Sequence, residues 1–177
     1  MKGFIFGLIL GILVVPTCAY LYIRGGYMPV ATTAKPLPME EALAHEAMHK
    51  TAEKEAPKTV PLPANEATFV AGAHVYVVNC AFCHGLPNQP ENSITKGMYP
   101  HPPQLFTNDD MVTDDPAGVT FWKARNGIRL TGMPGFASAL TDEQMWQVSL
   151  LLANADKLPP TVSQALVPPP IDRVPAK

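Results

Sequence analysis

The N-terminal segment is the longest apolar stretch of the chain. Residues 3 to 23 carry no charge and are mostly apolar, and Lys2 and Arg24 bound them. A helix needs about 20 such residues to cross a membrane. The pattern therefore predicts a transmembrane anchor over residues 1–23. The alternative is a secretory signal peptide, although residues 17–19 match a cleavage site poorly and the apolar run continues past them.

The next segment, residues 24–65, has the composition of a tether. Its prolines exclude continuous regular structure, but none lies between Met39 and Glu55, where helix formers dominate and predict a short helix. His45 and His49 lie four residues apart there and would share one face. Such a pair can hold a metal, but no third ligand is evident. The pair could even ligate a haem. The alternatives are a charged, solvated helix and, preferred here, a helix that packs on the following domain or on a partner.

Helical periodicity returns between residues 66 and 158. Predicted helices run over about 66–79 and 116–126, and a third follows residue 141. Their expected N-caps are Asn65, Asp115 and Thr141, the last in a capping box with Gln144. Pro116 would be the first helical residue of the second helix, and Gly127 would end it.

The remaining segments are rich in proline. Five prolines between residues 85 and 106 predict a loop. Residues 159–177 contain six more, and these predict an extended or disordered proline-rich tail.

Charge and composition restrict the class of partner. The chain has 177 residues and a net charge of −2, so nothing indicates a nucleic-acid partner. An acidic run is most simply a solvated face, with a docking patch or a calcium loop as alternatives. Its members are Asp109, Asp110, Asp114 and Asp115. Positive charge at Lys123, Arg125 and Arg129 could steer an acidic partner or bind a carboxylate of a cofactor, and Trp122 could donate to one.

The most specific motif is Cys80-Ala81-Phe82-Cys83-His84, the C-x-x-C-H pattern that attaches a c-type haem. Two thiols at this spacing can reach two vinyl groups on one porphyrin edge, and His84 can then bind the iron. A zinc site would need a second ligand pair, and a thioredoxin-like redox pair would need a βαβ setting. A structural disulfide would leave His84 unexplained. The motif therefore predicts one haem c, attached through Cys80 and Cys83.

The candidate for the sixth iron ligand is Met133. Gly132 and Gly135 let the backbone approach a flat ring, and Pro134 disfavours a helix at the methionine. A thioether opposite histidine raises the potential of an electron carrier. The alternative is that Met133 only fills the core. The rival ligands are Met98, Met111, His74 and His101.

Together these motifs resemble the class I cytochromes c, the small monohaem family. The resemblance covers about residues 66–158. It is carried by Gly72, Tyr76, Cys80 to His84, Pro103-Gln104-Leu105, Asn126-Gly127-Ile128, Gly132-Met133-Pro134, Phe136 and the helix around Trp146. It implies an all-α fold wrapped around one covalent haem, and one-electron transfer rather than enzyme activity. It also implies that the Pro103 carbonyl accepts a hydrogen bond from His84, and that Trp146 packs on Gly72.

The expected protein is thus a membrane-tethered electron carrier. Its domains would be the anchor (1–23), the tether (24–65), the cytochrome domain (66–158) and the tail (159–177). The resemblance places haem attachment outside the bacterial cytoplasm, so the haem domain would lie on the periplasmic side of the inner membrane. Membrane or periplasmic proteins of respiration or photosynthesis would be donor and acceptor. The alternatives are a fixed haem subunit of a larger membrane oxidoreductase complex and, disfavoured by Met133, a haem enzyme or gas sensor.

Overall fold

The computed structural model describes residues 2–107 and 112–167, and within these ranges all regular structure is helical. The α-helices are α1 (Lys2–Arg24), α2 (Glu40–Glu55), α3 (Glu66–Asn79), α4 (Ala81–His84), α5 (Ala117–Asn126), α6 (Asp142–Leu152) and α7 (Pro160–Ala165). Short 3-10 turns lie at Thr95–Gly97, Val112–Asp114 and Ala155–Lys157. The predicted all-α class is confirmed.

Helix α1 is the apolar segment that the sequence assigns to a membrane. None of its residues is buried in the protein, and it is long and apolar enough to cross a bilayer. A signal sequence near the N-terminus has the same properties. The chain divides into two compact units, one ending at Glu40 and the other beginning at Glu41.

The core of the second unit forms where α3 packs on α6. Tyr76 of α3 and Leu151 of α6 are fully buried there. Gly72 makes the approach possible, because a Cβ at this position would lie 2.3 Å from the backbone oxygen of Gln147. The expected close approach of another helix at Gly72 is therefore present, but the prediction that Trp146 packs on this glycine was wrong. The Trp146 ring instead stacks on Phe121, with ring centroids 4.2 Å apart.

Two of the three predicted N-caps are present. Asn65 accepts a hydrogen bond from the Thr68 N–H, and Thr141 forms the complete capping box with Gln144. The Asp115 cap was wrong. Its carboxylate accepts from Lys123 Nζ at 2.5 Å, so α5 begins after Pro116 without a side-chain cap.

The predicted helix in the tether exists as α2, and it packs on α5. Ala52 and Ala56 are buried against Val119 of α5, and Trp122 Nε1 donates to Glu55 at 3.1 Å. Residues 41–65 therefore belong to the compact unit of the predicted cytochrome domain, and a tether extending to residue 65 was wrong for them. Packing on the domain, one of the two options for this helix, is what the structure shows.

Gly118 controls how closely the chain after α2 approaches α5. A Cβ at this glycine would lie 2.1 Å from the Pro57 carbonyl oxygen. We expect Gly118→Ala to lower the free energy of unfolding by about 1–3 kcal/mol because the backbone at Pro57 must move. Limited proteolysis between residues 57 and 65 should become faster. Gly97→Ala is the control, because a Cβ there meets nothing within 4 Å; equal behaviour of the two variants would contradict the expectation.

Helix α7 replaces the start of the predicted tail. Val162 is fully buried and joins the cluster formed by α3 and α6, and Thr161 Oγ1 donates to Glu66 at 2.6 Å. The extended conformation expected from residue 159 was therefore wrong for α7. Pro160 lies at the first helical position, where the absent N–H costs nothing. The later prolines of the tail lie outside the described residues.

Candidate functional site

The C-x-x-C-H motif forms the one-turn helix α4 directly after α3. The amides of Cys83 and His84 both donate to the Cys80 carbonyl, at 3.1 and 2.9 Å. Gly85 ends the turn with φ +72°, a conformation that favours glycine. Residues three apart in a helical turn lie on the same side. Cys80 and Cys83, which are half-buried free thiols, therefore lie on one side of α4.

The ring of His84 is held by a backbone carbonyl. Its Nδ1 lies 2.8 Å from the Pro103 oxygen, and a carbonyl can only accept, so Nδ1 carries the proton. Burial lowers the pKa of His84, and the bond to Pro103 opposes this only in part. The imidazole is thus neutral at pH 7, with the Nε2 lone pair available to a metal. The predicted contact is present, and it involves Pro103.

The carbonyl groups at the end of α4 are all bonded by residues outside the helix. A helix end leaves its last carbonyls without partners, and a single turn has no further residues to supply them. Phe82 O accepts from Asn92 Nδ2 at 2.6 Å and from Thr95 Oγ1 at 3.2 Å. Cys83 O accepts from Gln104 Nε2 at 3.1 Å. The Tyr76 hydroxyl lies 3.1 Å from His84 O and 2.7 Å from Gly85 O. These contacts fix the orientation of the motif.

Sequence reasoning assigned no role to Asn92 or Thr95. A signal was present, since asparagine commonly bonds the backbone two or three residues ahead. Asn92 Oδ1 accepts from the amides of Ile94 and Thr95, and this turn buries Thr95 completely. What the sequence could not show is that the same turn reaches back to the carbonyl of Phe82.

The electrostatics of Cys80 differ from those of the reactive cysteine in a thiol redox pair. Burial, with a smaller contribution from Cys83, raises the pKa of Cys80 to about 12. Reactive cysteines of thioredoxin-like pairs have a lowered pKa and are thiolates near neutral pH. Cys80 is instead a neutral thiol. Cys80 therefore lacks the lowered pKa that is typical of a thioredoxin-like reactive thiol.

Met133 lies in a loop that is held by hydrogen bonds among its own residues. We call residues 127–136 the methionine loop. The Thr131 hydroxyl donates to Ile128 O at 2.7 Å and accepts from the Met133 amide at 3.1 Å, while Met133 O accepts from the Ile128 amide at 3.1 Å. Gly127 closes the loop at φ +68°, where a Cβ would collide with the backbone of residues 133–135.

The burial of Met133 does not fit a core residue. Its side chain is half-buried, and it joins none of the hydrophobic clusters found among residues 2–107 and 112–167. The loop is nevertheless fixed to the fold, because the Phe136 amide donates to Ala124 O of α5 at 2.9 Å. The methionine thus lies on a rigid loop outside the main core.

The rival ligands lie in different surroundings. His74 is exposed on α3, and His101 Nε2 forms a 2.5 Å contact with Glu91. Met98 packs on the methionine loop, because its methyl group lies where a Cβ of Gly132 would be. Met111, with Asp109 and Asp110 of the acidic run, lies outside the described residues.

The expected cations near this loop are engaged with acidic residues. Lys123 pairs with Asp115 at 2.5 Å, and Arg125 pairs with Asp142. Trp122 donates to Glu55. Two of the three predicted cations are therefore already neutralised locally, and the indole N–H is bonded to a glutamate.

Three features agree with the resemblance to class I cytochromes c: a short C-x-x-C-H helix, a histidine bonded to a proline carbonyl, and a glycine-flanked methionine on a hydrogen-bonded loop. Residues 67–150 match the family model of cytochrome c oxidase, cbb3-type, subunit III, just under half of the chain. No curated protein and no solved structure matches. Residues 67–150 are a cytochrome c domain, and such a domain transfers electrons with haem c.

Proposed function

We propose that this chain is a membrane-tethered monohaem cytochrome that passes single electrons between redox proteins of a respiratory or photosynthetic membrane. The observation that carries the proposal is the placement of His84. Its imidazole is neutral, fixed by Pro103, and one residue away from two free thiols on the same helical turn. This donor set fits haem c, which needs two thiols for its vinyl groups and one imidazole nitrogen for its iron.

Each residue of the site has a separate role in binding the haem. When bound, haem c supplies a one-electron Fe3+/Fe2+ couple. Cys80 and Cys83 would hold one haem covalently, and His84 and Met133 would bind its iron. Pro103 keeps the proton of His84 on Nδ1, so Nε2 would be free to bind iron and would be a stronger ligand.

The proposed location is the bacterial inner membrane, with the haem domain on the periplasmic side. Helix α1 is the only candidate span among the described residues and would anchor the chain. The C-x-x-C-H motif supports the orientation, because covalent haem attachment of this kind takes place outside the cytoplasm in the family that the chain resembles.

Met133→Ala tests the ligation. We expect covalent haem to remain, because the thiols are untouched, while the long-wavelength absorption band of methionine-bound ferric iron disappears. The reduced variant should bind carbon monoxide readily, and the reduced wild-type protein should not. Met98→Ala, which removes the neighbouring thioether, is the control and should keep the band. An unchanged band in Met133→Ala would assign the sixth ligand to another residue, and carbon monoxide binding by the wild type would favour an enzyme or sensor.

A second candidate function is a fixed haem subunit of a membrane oxidase. The match of residues 67–150 to the cbb3-type subunit III model favours it. A fixed subunit stays bound to the other proteins of its complex, whereas a carrier binds its partners only transiently. Purification from detergent-solubilised membranes distinguishes them, because a fixed subunit would elute in constant ratio with other haem proteins, whereas a carrier would elute alone.

A further inference from the structure

His45 and His49 form a side-by-side pair on α2. Their ring centroids lie 4.2 Å apart, with the ring planes tilted by 48°. His45 is exposed and His49 is half-buried, so one edge of the pair is open to solvent. The helix that carries them is held on α5 through Ala52 and Ala56. The pair is therefore presented on a helix that packs on α5.

We propose that His45 and His49 bind one divalent transition-metal ion of the imidazole-preferring class, such as Zn2+ or Cu2+. Histidines four residues apart on a helix project from the same face, so both can donate to a single ion. Imidazole suits zinc, copper and nickel, whereas calcium and magnesium prefer oxygen ligands. This site is separate from the one that holds His84, and it does not depend on the proposed electron-transfer function.

The charges around the pair permit a cation. Burial lowers the pKa of His49, and Lys123 and His45 act in the same direction, so the ring is a neutral donor at pH 7. Lys123 would repel a metal ion, but Asp115 neutralises it at 2.5 Å. Asp115 and Glu53 both favour positive charge at His49. The surroundings of the pair are therefore not net positive.

The number of protein ligands sets the expected affinity. Among the described residues, no group of three His, Cys, Asp or Glu side chains is placed to hold a metal. The site thus has two imidazoles, with water completing the coordination. We expect saturable binding of moderate affinity and one ion per chain.

Calorimetric titration of the haem-loaded, full-length protein in detergent with Zn2+ tests the site. His45→Gln and His49→Gln should each weaken binding at least as much as loss of an outer-shell partner does at metal sites, about 10- to 100-fold. His74→Gln is the composition control, because it removes an exposed histidine that has no histidine four residues away. The spacing control combines His49→Gln with Lys50→His, which keeps two histidines on α2 but places them five apart.

Each outcome decides the proposal. One equivalent of Zn2+ in the wild type and in His74→Gln, with loss in both single variants and in the spacing control, supports it. Absence of saturable binding in the wild type overturns it. Unchanged binding in the single variants places any zinc elsewhere, and wild-type affinity in the spacing control shows that the four-residue geometry is not used; either result also overturns it.

Discussion

Replacing both Cys80 and Cys83 with serine is expected to abolish covalent haem completely. A serine hydroxyl does not form the thioether bond that links the chain to a vinyl group, and the remaining cysteine, Cys18, lies in the apolar helix α1. Haem staining of a denaturing gel measures the result, with protein from a host that attaches c-type haem. The single variants should keep at most one bond.

Cys18→Ser is the matched control for this experiment, and it should stain like the wild type. Pigment that persists in the double variant would show that another group holds the haem. A wild-type band without pigment would refute the assignment of the motif itself.

Gly72→Ala is expected to destabilise the domain strongly. Overpacking costs about 1–3 kcal/mol and occasionally more. The new Cβ would lie 2.3 Å from the backbone oxygen of Gln147, which cannot move without moving α6, so this substitution belongs at the upper end. Alanine gains only about 1 kcal/mol over glycine in a helix. The net effect is a loss of about 2 kcal/mol, or roughly 5–10 °C in Tm.

Thermal unfolding followed by circular dichroism measures this effect. His74→Ala, on the exposed side of the same helix, should leave Tm nearly unchanged. A Tm for Gly72→Ala equal to or above that of the wild type would mean that α3 and α6 do not approach as closely as the structure shows.

The helical turn of the C-x-x-C-H motif could be predicted because it depends on adjacent residues. Cys80, Cys83 and His84 act through their spacing, and one turn of helix suffices to bring them together. The caps at Asn65 and Thr141 are local in the same sense. The Pro103 contact spans 19 residues and was predicted only through the resemblance, since nothing in the spacing requires it.

Contacts between distant segments were not predictable in this way. The one buried residue of α2, Ala52, lies among charged residues, so the helix gives no clear apolar stripe. Pro159-Pro160 indicates an extended chain, yet these prolines occupy the N-cap and first position of α7. Asp115 has the residue type of a cap, but its carboxylate bonds a lysine eight residues ahead. In each case a long-range partner overrides the local preference.

The packing of α2 sets the length of the segment that joins α1 to the haem domain. Only residues 25–39 separate the last residue of α1 from the first of α2. At no more than about 3.6 Å per residue, this segment spans roughly 55 Å at most. With α1 in the bilayer, the first residue of α2 would lie within that distance of the end of the anchor. A redox partner within reach of the haem domain would be met at the effective concentration that this segment sets. A partner farther away in the same membrane would be met only after lateral diffusion.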